Sequence, residues 1–194
     1  MKSALIWGLA YLLGAIPFGV LIARSQKINI QNHGSGNIGA TNIARIVGKK
    51  AGLLTLVGDC AKGMIAVAIA SATLDNNIQI AVAALMAFLG HLFSIFLKFK
   101  GGKGVATGLG VFLYLMPPAT LSAMVVFATV MAVSRYVSTS SILAALSLPL
   151  FGFFYQMPTP YIYTSAIISG LVILRHHKNI QRLLAGTETK FGQK

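Results

Sequence analysis

The chain has 194 residues, 56% of them hydrophobic and only 10% charged, with 16 Lys and Arg against 3 Asp and Glu. Soluble domains carry roughly 25% charged residues, so a water-facing surface around so apolar a chain is excluded; a nucleic-acid face is excluded too, because the basic residues stand in short groups between apolar segments. The three acids, Asp59, Asp75 and Glu188, and the single cysteine, Cys60, cannot furnish a two-metal phosphotransferase, a multi-Cys metal site or an intrachain disulfide, and neither a catalytic metal nor a cofactor is expected.

The pattern predicts an all-α, polytopic membrane helix bundle of about seven transmembrane helices, built as a single domain over residues 1–194. The first span covers 4–22, with Pro17 as a kink, and no cleavage site follows it. Residues 24–50 are polar and glycine-rich. Spans follow at about 52–73 and 78–97, separated by a turn at Asp75, Asn76 and Asn77. A basic loop (Lys98, Lys100, Gly101, Gly102, Lys103, Gly104) leads into the apolar stretch 105–133, which Pro117 and Pro118 divide into two shorter spans. A polar connector at 134–141, a span at 142–155, a turn at 156–160, a span at 161–174 and a basic tail at 175–194 complete the chain. Some of these segments are shorter than the ~20 residues of an ordinary crossing. Placing the N-terminus outside and the C-terminus in the cytoplasm puts every Lys and Arg beyond the spans, other than Lys2, in a cytoplasmic segment, as the positive-inside rule requires.

Four polar clusters then share the cytoplasmic side. The first, Gly34-Ser35-Gly36-Asn37-Ile38-Gly39-Ala40-Thr41-Asn42 with Arg45, matches G-x-G-x-x-G in form, but it lies between two membrane spans rather than in a βαβ unit, which rules out the dinucleotide reading. Its glycines still let backbone approach an anion, and Thr41 and Arg45, four apart, share a face of a helix that begins near Ile38. The bland reading is a capped, solvated loop. In the second cluster Lys98 and Lys100 read as topogenic charge, whereas Lys103, between glycines, is placed to hold a phosphate; P-loop spacing is absent. The third (Arg135, Ser138, Thr139, Ser140, Ser141) reads first as helix caps. The fourth (Arg175, His176, His177, Asn179, Arg182, Glu188) reads first as a basic helix on an anionic leaflet. Within the second span Asp59 and Lys62 pair with each other or with the nearby cluster, and His91 reads as a structural hydrogen-bonding residue.

The segments GSGNIGATNIAR (34–45), FKGGKGVAT (99–107) and RHHKNIQRLLAGTE (175–188) closely resemble three motifs of the bacterial acyl-phosphate:glycerol-3-phosphate acyltransferase family, in the right order and over essentially the whole chain. The resemblance implies transfer of a fatty acyl group from acyl phosphate to the 1-hydroxyl of glycerol 3-phosphate, giving lysophosphatidic acid and phosphate, the first committed step of bacterial phospholipid synthesis. By motif match Ser35, Gly36, Asn37, Thr41 and Asn42 would hold the acyl-phosphate headgroup. Arg45, Gly102, Lys103, Ser141, His176 and Asn179 would surround glycerol 3-phosphate. Ser35, Arg45, Lys103 and His176 would serve catalysis, and Asp59, Lys62, Arg182 and Glu188 would brace the structure. The implied partners are the two substrates, membrane lipid and, as a candidate, the enzyme that makes acyl phosphate. The implied location is the bacterial inner membrane, with the site facing the cytoplasm.

No histidine here has an Asp five positions later, and no serine–histidine–acid set is evident. Phosphate is already a good leaving group, so direct transfer without an acyl-enzyme is expected, a substrate phosphate taking the hydroxyl proton and His176 being the protein's rival for that role. A membrane transporter for phosphate or organophosphate is the alternative, and a structural membrane subunit a third reading. A transporter should show related halves and midplane polar residues; here the polar residues gather at one side and no internal repeat is evident.

Overall fold

Hydrocarbon offers backbone amides and carbonyls no water, so a chain this apolar pairs them internally. The computed structural model describes residues 1–192 and shows helices and turns with no strand among them. Helices stand over all seven predicted segments. Five helical stretches are long and apolar enough to cross a membrane by length and composition: Lys2–Ser25, Lys49–Thr73, Asn77–Leu97, Pro117–Ser134 and Val137–Phe154. The chain forms two compact units, Met1–Tyr114 and Leu115–Lys194.

The first unit contains α1 (Lys2–Ala15), α2 (Phe18–Ser25), α3 (Ala40–Ile46), α4 (Lys49–Thr73), α5 (Asn77–Leu92) and α6 (Val105–Leu115), with single 3-10 turns at Ile30–Asn32 and Ile95–Leu97. α1 packs on α5 and α4, α4 on α5, and α2 and α3 on the start of α4. The α1–α5 crossing is close because small residues line it. A Cβ on Gly14 would collide with the Ala87 carbonyl, and one on Gly90 with the Tyr11 carbonyl and the Ala15 amide. Aromatic side chains pin both ends of the pair: Trp7 Nε1 donates to the Gln79 carbonyl at 3.0 Å, and the Tyr11 hydroxyl to the Phe93 carbonyl at 2.6 Å. The predicted turn at Asp75 to Asn77 is present, and Asn76 caps α5 by accepting the Ile78 amide at 2.7 Å.

Pro17 does more than kink the first span. It divides it into α1 and α2, and the carbonyls of Ala15 and Ile16 leave the helical ladder. Side chains from elsewhere in the unit claim both: Ser94 Oγ, just beyond α5, donates to Ala15 at 2.6 Å, and Lys62 Nζ of α4 to Ile16 at 2.6 Å.

The second unit contains α7 (Pro117–Ser134), α8 (Val137–Phe154), α9 (Thr159–Arg175) and α10 (His177–Leu184); α8 packs between α7 and α9. Pro117 and Pro118 open α7, where a missing N–H costs nothing. Pro149 lies inside α8 and leaves the Ala145 carbonyl, four residues back, without its amide. Ser169 of α9 donates its hydroxyl to that carbonyl. α8 begins at Val137, so Ser138, Thr139, Ser140 and Ser141 belong to a helix rather than to the connector expected at 134–141. Tyr136 is the N-cap residue and caps with no side chain, which corrects the capping reading of the serines.

The α1–α5 crossing yields a paired expectation. Gly90→Val should lower the melting temperature in detergent by overpacking, which costs ~1–3 kcal/mol. Gly8→Ala, where no atom lies within 4 Å of the added Cβ, should leave it unchanged or slightly raised. Equal behaviour of the two variants would show that the close approach is not what holds α1 to α5.

Candidate functional site

The first polar loop rests on an apolar cluster. Ile30, Ile38 and Ile43 are buried together with Val20 and Ala23 of α2 and with Leu97, the residue that leads into the second basic loop. Two of the four predicted clusters are thereby seated on one apolar base within the first unit. Above it the loop is organised by Asn42, which is 3% exposed. Its Oδ1 accepts the Ser35 amide at 3.0 Å, and its Nδ2 donates to the His33 carbonyl at 3.1 Å and the Asn37 carbonyl at 2.9 Å. Asn37 closes a smaller turn, its Oδ1 accepting the Gly39 amide at 3.2 Å. Gly34 has φ +60°, and a Cβ there would strike Asn42 Oδ1, so glycine is required on both conformational and steric grounds.

This geometry changes the weight of individual residues. The Asn42 amide is spent on backbone, so it shapes the loop. Ser35, Thr41 and Arg45 are exposed, and among the described residues no side-chain hydrogen bond or ion pair engages their hydroxyls or guanidinium. α3 starts at Ala40, two residues later than the expected Ile38, and keeps Thr41 and Arg45 one turn apart.

The second loop doubles back on the end of α5. Lys98 and Phe99 take positive φ (51° and 63°), and the amides of Gly101 and Gly102 then donate to the carbonyls of Leu92 and His91, each at 3.1 Å. A Cβ on Gly101 would meet those carbonyls, one on Gly102 the His91 ring, and one on Gly104 (φ +84°) the Phe88 ring. The glycines are needed because the loop lies flat on buried side chains. Lys103 is half-buried between Gly102 and Gly104.

Beneath this loop, Asp59, Lys62 and His91 form a buried group that the sequence showed only in part. Lys62 Nζ lies 2.8 Å from Asp59 Oδ1, and His91 Nδ1 lies 3.7 Å from the same oxygen; all three are 2–4% exposed. The Asp59–Lys62 pairing expected from their spacing is present, and His91 joins it from α5.

In the second unit the centre is Glu188. Gly186, at φ +68°, turns the chain back after α10. Glu188 Oε1 then accepts Ser138 Oγ at 2.9 Å and Asn179 Nδ2 at 2.6 Å, while Oε2 accepts Arg182 Nε at 2.6 Å. Burial alone pushes the carboxyl up, but the hydrogen bonds from Asn179, Arg182 and Ser138 and the Arg182 charge outweigh it and hold the group below its ordinary value of 4.5. The Phe191 amide donates to the Arg135 carbonyl at 2.7 Å, and Arg135 Nη2 donates back to the Phe191 carbonyl at 3.2 Å, strapping the tail to the α7–α8 corner.

His176 is buried where α9 meets α10, with Nδ1 against the Val172 carbonyl at 2.8 Å. A carbonyl can only accept, so Nδ1 carries a proton and the lone pair of a neutral ring lies on Nε2. His177 is exposed and bonds the Leu174 carbonyl. Ser141 is buried and donates to the Val137 carbonyl at 2.8 Å. Arg45, Gly102 and Lys103 thus belong to the first unit, and Ser141, His176 and Asn179 to the second. Ser138 was missed as a Glu188 partner, since fifty residues separate them and no local pattern signals the contact.

The family described as glycerol-3-phosphate acyltransferase matches residues 4–186 of the chain. A glycerol-3-phosphate acyltransferase of Trichlorobacter lovleyi is 50% identical over 192 residues, covering 98% of this chain and 99% of that one. One of Thermosynechococcus vestitus is 44% identical, covering 99% and 98%. Among solved structures, PlsY (YgiH), an integral membrane glycerol 3-phosphate acyltransferase, in its glycerol 3-phosphate form superposes with a TM-score of 0.93 at 40% identity, covering 99% of this chain and 96% of that one. Its lysophosphatidic acid form gives 0.91.

A carboxyl depressed by folding stabilises the fold above its unfolded pKa, and that contribution is lost as pH falls through the folded value. Glu188→Gln should therefore lower the melting temperature in detergent at neutral pH, with the gap to the native chain closing in acid. A gap of constant size across the titration would show that Glu188 acts by shape rather than charge.

Proposed function

The chain belongs to the glycerol-3-phosphate acyltransferase family, and on that premise we propose that its acyl donor is an acyl phosphate and that it works at the cytoplasmic face of a bacterial inner membrane. It is an integral membrane acyltransferase that acylates glycerol 3-phosphate to lysophosphatidic acid. What supports the finer reading is the first loop: a hydroxyl-rich, glycine-supported turn held rigid by the buried Asn42, with the Ser35 and Thr41 hydroxyls and the Arg45 guanidinium facing outward.

In this proposal Ser35, Gly36, Asn37 and Thr41 hold the phosphate of the acyl donor, and Asn42 sets their geometry. By the motif match, Arg45, Gly102, Lys103, Ser141, His176 and Asn179 are assigned to glycerol 3-phosphate. The 1-hydroxyl oxygen attacks the acyl carbon; the new ester C–O bond forms and the bond from that carbon to the phosphate oxygen breaks. The hydroxyl proton passes to a phosphate oxygen, whose second pKa lies near neutrality, and inorganic phosphate leaves. Donors fixed before the reaction stabilise the tetrahedral oxyanion at no cost in reorganisation. The acyl-phosphate-producing enzyme is the proposed source of the donor, and seven crossings with the N-terminus outside remain the topology that suits the charge pattern.

Purified protein given labelled glycerol 3-phosphate should release labelled lysophosphatidic acid with acyl phosphate and none with acyl-CoA or acyl carrier protein. Turnover with acyl-CoA alone would overturn the donor assignment. For the proton, His176→Ala should keep the single-turnover chemical rate within tenfold, whereas a loss of ~10²–10⁴ with affinity intact would give the role of base to the imidazole.

A further inference from the structure

We propose that Asp59, Lys62 and His91 are positioning residues for Lys103, and that through it they set the affinity for glycerol 3-phosphate; this rests on the assignment of Lys103 made above. The transfer chemistry uses none of the three, yet two formal charges and an imidazole are held at 2–4% exposure in membrane-spanning helices, where uncompensated charge is expensive. Their contacts run in one direction. Lys62 catches the Ile16 carbonyl at the α1–α2 break and sits 2.8 Å from Asp59. The same Asp59 oxygen faces His91 Nδ1 at 3.7 Å. The opposite edge of that ring, at Nε2, lies against Gly102, where a Cβ would strike it, and the His91 carbonyl takes the Gly102 amide at 3.1 Å. Lys103 is the next residue.

The floor of the loop is therefore the imidazole itself, and the other edge of the ring faces the α4 carboxylate at 3.7 Å. A simple charge-neutralising pair would need Asp59 and Lys62 alone. The third member, and glycine where it touches the loop, give the group a reach from the helix break to the phosphate-binding lysine. Removing the ring while leaving the backbone contact opens space beneath Gly102, and the Lys103 ammonium loses its fixed height above the bundle.

The test compares His91→Ala, His91→Gln and Lys103→Met in detergent, reading both KM values, kcat and the rate of tryptic cleavage after Lys98, Lys100 and Lys103. His91→Ala should raise KM for glycerol 3-phosphate about tenfold, the scale of one weakened charge-assisted contact, with kcat and KM for acyl phosphate within about twofold. Cleavage in the loop should quicken, and His91→Gln, which refills the space, should recover most of both effects. An unchanged KM for glycerol 3-phosphate and unchanged cleavage in folded His91→Ala would overturn the proposal. So would a parallel loss of all parameters with no recovery in His91→Gln, because that is the signature of a fold requirement alone. If cleavage quickens but neither His91→Ala nor Lys103→Met raises that KM, the brace stands and the assignment of Lys103 to glycerol 3-phosphate falls.

Discussion

A carbonyl released from a helix inside hydrocarbon has no solvent to accept from, and that constraint organises both units of this protein. Each has a proline that interrupts a spanning helix, and each answers it with a side chain from a distant part of the same unit. At Pro17 the donors are Lys62 and Ser94; at Pro149 the donor is Ser169. The difference between the two answers matters. Ser169 is neutral and needs nothing further, whereas Lys62 carries a charge and is paired with Asp59, whose carboxylate faces His91 at 3.7 Å. One broken helix thereby generates a buried polar group that ends under the glycine loop at Gly102.

The loops are built on the opposite principle, with apolar material beneath and polar groups above. The Ile30, Ile38, Ile43 and Leu97 cluster seats both loops of the first unit, and backbone amides and glycines lock their shapes. In the first loop this leaves the Ser35 and Thr41 hydroxyls and the Arg45 guanidinium exposed. In the second unit a carboxylate does the locking. Glu188 accepts three side-chain donors, so Asn179 and Arg182 are fixed by one acid in a part of the chain otherwise rich in positive charge.

Helix positions were legible in the sequence because hydropathy is a local property. The prolines at Pro117 and Pro118, the turn at Asp75 to Asn77 and the Asp59–Lys62 spacing were legible for the same reason. The short helices α3 and α10 were harder, since neither is long enough to impose a period and both are held by packing. The serines at Ser138 to Ser141 looked like caps because hydroxyls near a helix start usually are; the helix begins earlier, and their hydroxyls turn to Glu188 or to backbone carbonyls instead. Asn42 carried the right chemistry for a ligand, and nothing local revealed that its amide is consumed by three backbone groups. The link from Asp59 to His91 depends on how α5 lies on α4, which no window of sequence contains.

The clasp at Glu188 also orders events in time. Contacts among α7, α8 and α9 are between neighbours in the chain and can form as each helix emerges. Ser138, by contrast, waits for an acid encoded fifty residues downstream, after α8, α9 and α10 have all been synthesised. Until then the corner that carries Asn179 and Arg182 lacks its counter-charge. The polar clasp of the second unit can therefore close only after Glu188 has been made.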